Sequence, residues 1–287
     1  MPSVIGSAVT ADGTQLRTRH WPAVDPWASV LVIHGLGEHS GRYEHVGEHF
    51  AAAGIAAFAY DHRGNGGSGG ARGDIDRWST YLDDLEEQLV AVRAASGGRP
   101  VVLYAHSMGG LIAAGYLLSP RPRPDLTVLT APGLDSTLAA WKQRLAPLVA
   151  RIAPTLSLPN GVPSETLSRD EDVGRRMAAD PLNGRTSTAR FAAEALREQA
   201  RVREGAHSIG GPTLVLHGLD DRLVPPSAST VFGGASGVER RTYPGLRHEL
   251  HNEPEGPQVL DDVVAWIRAH GRLDAQLNTA SGERLAR

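Results

Sequence analysis

The 287-residue chain carries 29 Lys and Arg against 32 Asp and Glu, a net charge of −3, and no cysteine. The near-neutral charge gives no reason to expect binding to nucleic acid, and the missing thiols exclude disulfides, thiol catalysis and Cys-ligated zinc. Neither a signal peptide nor an apolar run approaching the roughly 18 residues of a membrane span is apparent, so we expect a cytoplasmic protein.

The chain alternates apolar runs with helical stretches. Two short extended runs flank residues 11–14 and predict an N-terminal hairpin that turns at Asp12 and Gly13. The strand runs are continuously apolar rather than alternating, which is typical of a parallel sheet covered on both faces. Strand–helix alternation predicts an α/β fold. Strands are predicted at 28–34, 54–60, 100–105, 126–131 and 212–218, and helices at about 43–53, 76–95, 108–118 and 257–270.

The alternation is interrupted between residues 133 and 205, where the chain is rich in proline and only partly helical. Because the strand pattern resumes at 212, we interpret this stretch as a helical cap inserted into the sheet domain, rather than as the junction of two domains in series. The predicted organisation is a first core part at 1–132, the cap segment at 133–205, a second core part at 206–271 and a polar, flexible C-terminal tail at 272–287.

A serine stands where a predicted strand meets a predicted helix, in Ala105-His106-Ser107-Met108-Gly109. This stretch follows the nucleophile-elbow pattern Gly-x-Ser-x-Gly, except that alanine, the mildest steric change, takes the first position. Such a turn lifts the hydroxyl above the sheet, beside a helix N-terminus whose free N–H groups stabilise an anion. A serine in a glycine-rich turn can also act only as a turn residue or helix cap, so its partners decide the interpretation.

A serine nucleophile needs a base, an acid that orients the base, and donors for the oxyanion. On a sheet with such an elbow the order along the chain is Ser, then Asp or Glu, then His. The sequence offers Asp220 and Asp221 after the strand at 212–218, and His248 and His251 before the last predicted helix. Both pairs fall at carboxyl ends of strands, where open α/β sheets build their sites.

Several longer stretches resemble the monoacylglycerol lipases of the α/β-hydrolase fold, particularly those of the actinobacterial type. The first of these stretches is more specific than a bare serine elbow. The resemblance implies a mostly parallel, twisted sheet flanked by helices, with an inserted helical cap. The matching stretches are "HGLGEHSGRYEHV" (34–46), "AYDHRGNGGSGG" (59–70), "AHSMGG" (105–110), "LSRDEDV" and "DPLNG" (167–184), "HGLDDRLVP" (217–225) and "YPGLRHELHNEPE" (243–255).

The resemblance also implies residue roles. The nucleophile of the family matches Ser107, the acid matches Asp221 and the base matches His248. The oxyanion donors match the backbone N–H groups of Leu36 and Met108, in agreement with the expectation that one donor follows the nucleophile.

Three further matches are polar contacts to the glycerol end of a substrate, namely Glu38, Arg42 and His251. Each has an alternative. Glu38 and Arg42 can instead pair with each other and brace their loop, and His251 can simply be solvated.

The resemblance implies hydrolysis of monoacylglycerol to glycerol and a fatty acid through an acyl-enzyme, with no metal or organic cofactor. The cap segment supplies apolar residues at nearly helical spacing for an acyl channel, and an exposed remainder predicts weak peripheral membrane contact. Alternatives are a general carboxylesterase, lysophospholipase or thioesterase on the same fold, or a ligand receptor without catalysis. The apolar residues are Leu145, Leu148, Val149, Ile152, Leu156 and Leu158.

Overall fold

The computed structural model describes residues 2–135 and 139–284 and contains ten strands within them. Eight strands form one sheet in the order β1-β2-β4-β3-β5-β6-β9-β10, and β7 and β8 form a separate antiparallel ribbon. The strands are Val4–Val9 (β1), Gln15–Trp21 (β2), Ala28–Ile33 (β3), Ile55–Tyr60 (β4), Val101–His106 (β5), Leu126–Thr130 (β6), Ser157–Pro159 (β7), Thr186–Thr188 (β8), Thr213–Gly218 (β9) and Val238–Tyr243 (β10).

The large sheet is mostly parallel. Strand β2 runs antiparallel to both β1 and β4, and the other neighbours are parallel. Seven α-helices accompany the strands in the described part of the chain. They are Glu44–Ala52 (α1), Ser79–Ser96 (α2), Met108–Leu117 (α3), Ala140–Ile152 (α4), Glu171–Ala179 (α5), Ala189–Gly205 (α6) and Gly256–Arg284 (α7).

Helices cover both faces of the sheet, and this explains the continuous apolar runs of its central strands. Every residue of β3, β5, β6 and β9 is buried. The apolar side chains of α2 and α3 belong to the core on one face, and those of α1 and α7 belong to the core on the other. Burial of apolar surface on both faces stabilises the sheet and leaves its carboxyl edge free for the site.

The predicted strands are confirmed with boundaries that shift by at most one residue, and the first three predicted helices with shifts of at most three. The N-terminal hairpin is confirmed as β1 and β2. Strand β10 was not predicted, because its sequence "VERRTY" is half charged and partly exposed at the sheet edge. Helix α7 continues to Arg284, beyond the predicted boundary at 271, and residues 285–287 lie outside the described residues.

The cap segment lies between two strands that are direct neighbours in the sheet, β6 and β9. It forms α4, β7, α5, β8 and α6, and residues 136–138 within it lie outside the described residues. Among the helices that the structure describes, none has both the length and the apolar character needed to cross a membrane.

Candidate active site

Ser107 stands on a strained turn between β5 and α3. Its backbone has φ 50° and ψ −115°, in the region that residues with a side chain rarely adopt. Gly109 permits this turn, because a Cβ there would lie 2.7 Å from the carbonyl oxygens of both Ile33 and His34. Ala105 is accommodated in β5 as a fully buried residue. The turn therefore projects the serine hydroxyl from the carboxyl edge of the sheet.

The structure brings Ser107, His248 and Asp221 into one hydrogen-bonded line. Nε2 of His248 is 2.9 Å from Oγ of Ser107, and Nδ1 of His248 is 2.8 Å from Oδ2 of Asp221. The other carboxylate oxygen of Asp221 accepts hydrogen bonds from the backbone N–H groups of Leu223 and Val224 at 2.8 and 3.0 Å. Of the two candidate acids, Asp221 is thus buried beside the histidine.

The pKa values of His248 and Asp221 are both shifted by their surroundings. Burial disfavours the charged imidazolium of His248, but the carboxylate of Asp221 outweighs burial and raises the pKa of His248 above its ordinary value of 6.5. Burial also opposes ionisation of Asp221, yet the charge of His248 and several hydrogen bonds hold the pKa of that carboxyl well below its usual range. An ionised aspartate and a titratable histidine therefore meet at the serine.

The two predicted oxyanion donors lie at the same edge of the sheet. Met108 is the first residue of α3, and the first N–H groups of a helix have no partner inside that helix. Leu36 lies just after β3, in the loop that also contains Gly35 and Gly37. Leu36, Met108 and Ser107 all line one cavity.

That cavity has a volume of about 960 Å³ and lies between the carboxyl edge of the sheet and the cap segment. Of the apolar cap residues named from the sequence, Leu145, Val149 and Leu158 line the cavity. All of the six except Val149 are exposed, Leu158 by 42% and Ile152 by 75% at the extremes. Apolar lining residues from both parts of the fold are Leu36, Met108, Leu111, Leu145, Val149, Leu158, Phe191, Leu223 and Val224.

Glu38 and Arg42 pair with each other, which is the alternative considered from the sequence. Nη1 of Arg42 donates to Oε1 of Glu38 at 2.6 Å, and the guanidinium also donates to both oxygens of Glu249 at 2.9 Å. The second oxygen of Glu38 accepts from the Tyr43 hydroxyl at 2.7 Å and from the Gly35 N–H at 3.2 Å. All three charged side chains are largely buried.

The two carboxyl groups that share Arg42 differ in acidity. Burial raises the pKa of Glu38 to about 7, because the attraction of Arg42 is opposed by the nearby charge of Glu249. Burial also opposes the ionisation of Glu249, but Arg42 and His251 lower the pKa of this carboxyl well below its ordinary value. Glu249 therefore holds the ionic partnership with Arg42, and Glu38 is the weaker acid of the two.

Glu38 lines the cavity beside Ser107, and the other two predicted substrate contacts, Arg42 and His251, do not. Arg42 and His251 line a separate cavity of about 590 Å³, formed with residues of α1 and α5. His251 is buried rather than solvated, and no hydrogen-bond partner of its Nδ1 is found in the described part of the chain. Burial lowers the pKa of His251 to about 3.

A cation could in principle bind between three groups in this region. Ligand atoms of Glu38, His106 and Glu249 lie within 4.8 Å of one another, the one such group in residues 2–135 and 139–284. Arg42 already donates to both carboxylates. The guanidinium thus occupies the position of positive charge between the two acids.

The cap segment contacts the loop that carries His248. Leu167 O accepts a hydrogen bond of 2.8 Å from the Glu249 N–H. Two residues further, the N–H and Nε of Arg169 donate to the buried Glu253 carboxylate at 3.2 and 3.0 Å. The stretch "LSRD" at 167–170 is therefore fastened to the histidine loop.

A second stretch of the cap segment, "DPLNG" at 180–184, contacts the loop that carries Leu36. The Gly184 N–H donates to Gly37 O at 2.8 Å, and Nε2 of His39 is 2.8 Å from the Asp180 carboxylate. A Cβ at Gly37 would lie 2.3 Å from Gly184 O, so this close approach requires glycine. Both stretches match the motifs noted in the sequence.

The fold and the geometry together define the class of protein. A mostly parallel sheet that presents a serine on a strained strand-to-helix turn, in line with a histidine and an aspartate, is an α/β hydrolase. The family profile described as "Serine aminopeptidase, S33" matches residues 24–255, and the chain belongs to this α/β-hydrolase family.

Individual relatives agree with this assignment. The chain is 35% identical over 260 residues to the monoacylglycerol lipase of Mycolicibacterium smegmatis, covering 87% of this chain and 91% of that protein. It is 31% identical over 254 residues to phospholipase YtpA of Bacillus subtilis, covering 86% and 97%. The crystal structure of Paleococcus ferrophilus monoacylglycerol lipase is similar with a TM-score of 0.80 and 28% identity, covering 89% and 99%. The resemblance to monoacylglycerol lipases is confirmed, and the chain is a carboxylic ester hydrolase.

Sequence reasoning missed Glu249, Glu253 and Tyr43 as parts of the site. Glu249 and Glu253 pair with arginines that are distant in the sequence, so neither local periodicity nor motif spacing identifies them. Tyr43 donates to Glu38, only five positions away, but no motif marks this contact. Glu249 directly follows the predicted base, but its burial, and with it the need for a cationic partner, is visible only in the structure.

Proposed function

We propose that the protein hydrolyses monoacylglycerol to glycerol and a free fatty acid, with Ser107 as nucleophile, His248 as general base and Asp221 as the acid that orients it. The observation that carries this proposal is the hydrogen-bonded line of 2.9 and 2.8 Å that ends in a large, mainly apolar cavity. A cavity of this kind fits an acyl chain, since each buried methylene contributes about 0.8 kcal/mol.

In the proposed mechanism Oγ of Ser107 attacks the ester carbonyl while Nε2 of His248 takes the hydroxyl proton. The N–H groups of Leu36 and Met108 stabilise the oxyanion, and one such donor is typically worth about 3–4 kcal/mol. Nε2 then gives its proton to the departing glycerol oxygen, which leaves an acyl-enzyme. Water loses a proton to Nε2 and attacks the acyl carbon, and Nε2 then returns that proton to Oγ of Ser107 as the bond to the acyl carbon breaks and the fatty acid is released.

The acidic side chain beside Ser107 suits hydrogen bonding to a glycerol head. Glu38 is the acidic side chain next to the serine, since a Cβ at Gly35 would contact both Ser107 and Glu38 at 3.2 and 3.4 Å. The oxygens of this side chain can accept hydrogen bonds from glycerol hydroxyls. We therefore propose Glu38 as the glycerol contact. Contact of Arg42 and His251 with the glycerol end of a substrate remains a prediction.

A substrate panel tests the proposal. Hydrolysis of a monoacylglycerol, a diacylglycerol, a lysophospholipid, an acyl-CoA and a p-nitrophenyl ester with the same acyl chain is compared for the wild type and Ser107→Ala. We expect the monoacylglycerol to give the highest kcat/KM, and Ser107→Ala to abolish all hydrolysis. Preference for the lysophospholipid would favour the phospholipase alternative, and unchanged activity in Ser107→Ala would disprove the serine mechanism.

We also propose a cytoplasmic location with weak contact to lipid surfaces through the cap segment. Six large apolar side chains of the cap segment are exposed: Trp141 by 61%, Leu145 by 45%, Leu148 by 54%, Ile152 by 75%, Leu156 by 47% and Leu158 by 42%. Exposed apolar residues that cluster in one segment suit an interfacial contact. Cosedimentation with neutral lipid vesicles should be measurable and should fall in Leu148→Ser/Ile152→Ser, and absence of any binding at low salt would exclude the contact.

A further inference from the structure

Two loops of the proposed mechanism are joined by one buried ionic bridge. Glu249 directly follows the proposed base, and its carboxylate accepts both ends of the Arg42 guanidinium at 2.9 Å. Arg42 also donates to Glu38, whose second oxygen accepts the N–H of Gly35 at 3.2 Å. Gly35 immediately precedes the proposed oxyanion donor. The chain of contacts therefore runs from the histidine loop to the oxyanion loop across 207 positions in the sequence.

We propose that Glu249 is a positioning residue, which acts through Arg42 and Glu38 to hold the base and the oxyanion donor at a fixed separation. This inference rests on the proposed function of His248 and Leu36 and extends it. A planar guanidinium suits this task, because its fork fixes direction as well as distance for the carboxylates that it joins.

The burial of the bridge supports a positioning role. The Glu249 side chain is fully buried and the Arg42 side chain is only 10% exposed. Glu249 does not line the cavity beside Ser107, so substrate is not its partner there. Its carboxylate also accepts a hydrogen bond of 2.7 Å at Oε2 from the side chain of Asn252, within the same loop.

Disruption of this bridge is expected to lower turnover rather than substrate affinity. A displacement of about 1 Å between reacting groups can cost about 10²-fold in rate. Glu249→Gln removes the charge and places an amide N–H₂ against one arm of the guanidinium, which breaks the two-pronged contact. We expect kcat to fall about 10²-fold for every ester, with little change in KM and an unchanged preference between glyceryl and p-nitrophenyl esters.

The experiment measures kcat and KM per active site, with sites counted by labelling Ser107 with a fluorophosphonate. The variants are Glu249→Gln and, as a matched control, Glu255→Gln, which changes an exposed glutamate six residues further on. Arg42→Lys is the second variant, because it keeps the positive charge but cannot donate to both carboxylates in a fixed plane. We expect the same loss of kcat in Arg42→Lys. This variant keeps the inference testable if Glu249→Gln fails to fold.

An unchanged kcat in folded Glu249→Gln or Arg42→Lys would overturn the inference. A loss confined to glyceryl esters, or to KM, would also overturn it, because that result would assign the bridge to substrate binding. The proposed function fails separately, when Ser107→Ala keeps its activity. If monoacylglycerol is not a substrate, the p-nitrophenyl ester still tests the bridge.

Discussion

The orientation of His248 depends on Asp221, and Asp221→Asn tests this dependence. The Leu223 and Val224 N–H groups both donate to one oxygen of Asp221, so in the variant they retain the amide oxygen on their side. The amide N–H₂ then faces Nδ1 of His248 and makes it an acceptor. The imidazole proton moves to Nε2, which faces Oγ of Ser107 at 2.9 Å and can no longer accept the serine proton.

In a serine triad this wrong tautomer lowers kcat by about 10⁴-fold, equivalent to about 5.5 kcal/mol at about 1.4 kcal/mol per tenfold. We expect a loss of that size for Asp221→Asn. The assay is steady-state hydrolysis of a p-nitrophenyl ester per folded enzyme, with the melting temperature measured in parallel. Asp220→Asn is the matched control, because Asp220 is exposed and adjacent. Loss of less than tenfold in Asp221→Asn, or equal loss in the control, would refute the reasoning.

Two further outcomes are expected. Because Asp221 raises the pKa of His248 and the base must be neutral to accept a proton, kcat/KM should fall as the pH drops through an apparent pKa above 6.5. This limb should persist in Glu38→Gln, and a limb below 6.5 would contradict the assignment. Gly109→Ala should lower the free energy of unfolding by about 1–3 kcal/mol through contact with β3. In chemical denaturation Gly210→Ala, which meets an ordinary 3.9 Å contact, should be nearly neutral, and equal stability of the two variants would argue against this packing.

The fold could be predicted largely because the central strands are buried on both faces. Their runs of apolar residues are a local signal, and the hydroxyl-bearing turn after β5 has its own short pattern. Strand β10 gave no such signal, since pairing with β9 on one side only leaves "VERRTY" half exposed. The short ribbon of β7 and β8 was missed for a similar reason, because its three-residue strands are defined by pairing across the cap segment.

The site could be predicted where residues belong to motifs and not where they meet only in three dimensions. Ser107, Asp221 and His248 each stand in a recognisable stretch, and the structure brings them together. The partnership of Arg42 with Glu249 has no sequence signal, because the two residues are joined only after the sheet has formed. Sequence patterns therefore indicate the reacting groups better than the groups that support them.

The fastening of the cap segment at 167–170 and 180–184 limits how this enzyme can admit a substrate. One fastening ends on the N–H that follows His248, and the other ends on the carbonyl next to Leu36. Lifting that side of the cap away from the sheet would loosen the proposed base and one proposed oxyanion donor in the same movement.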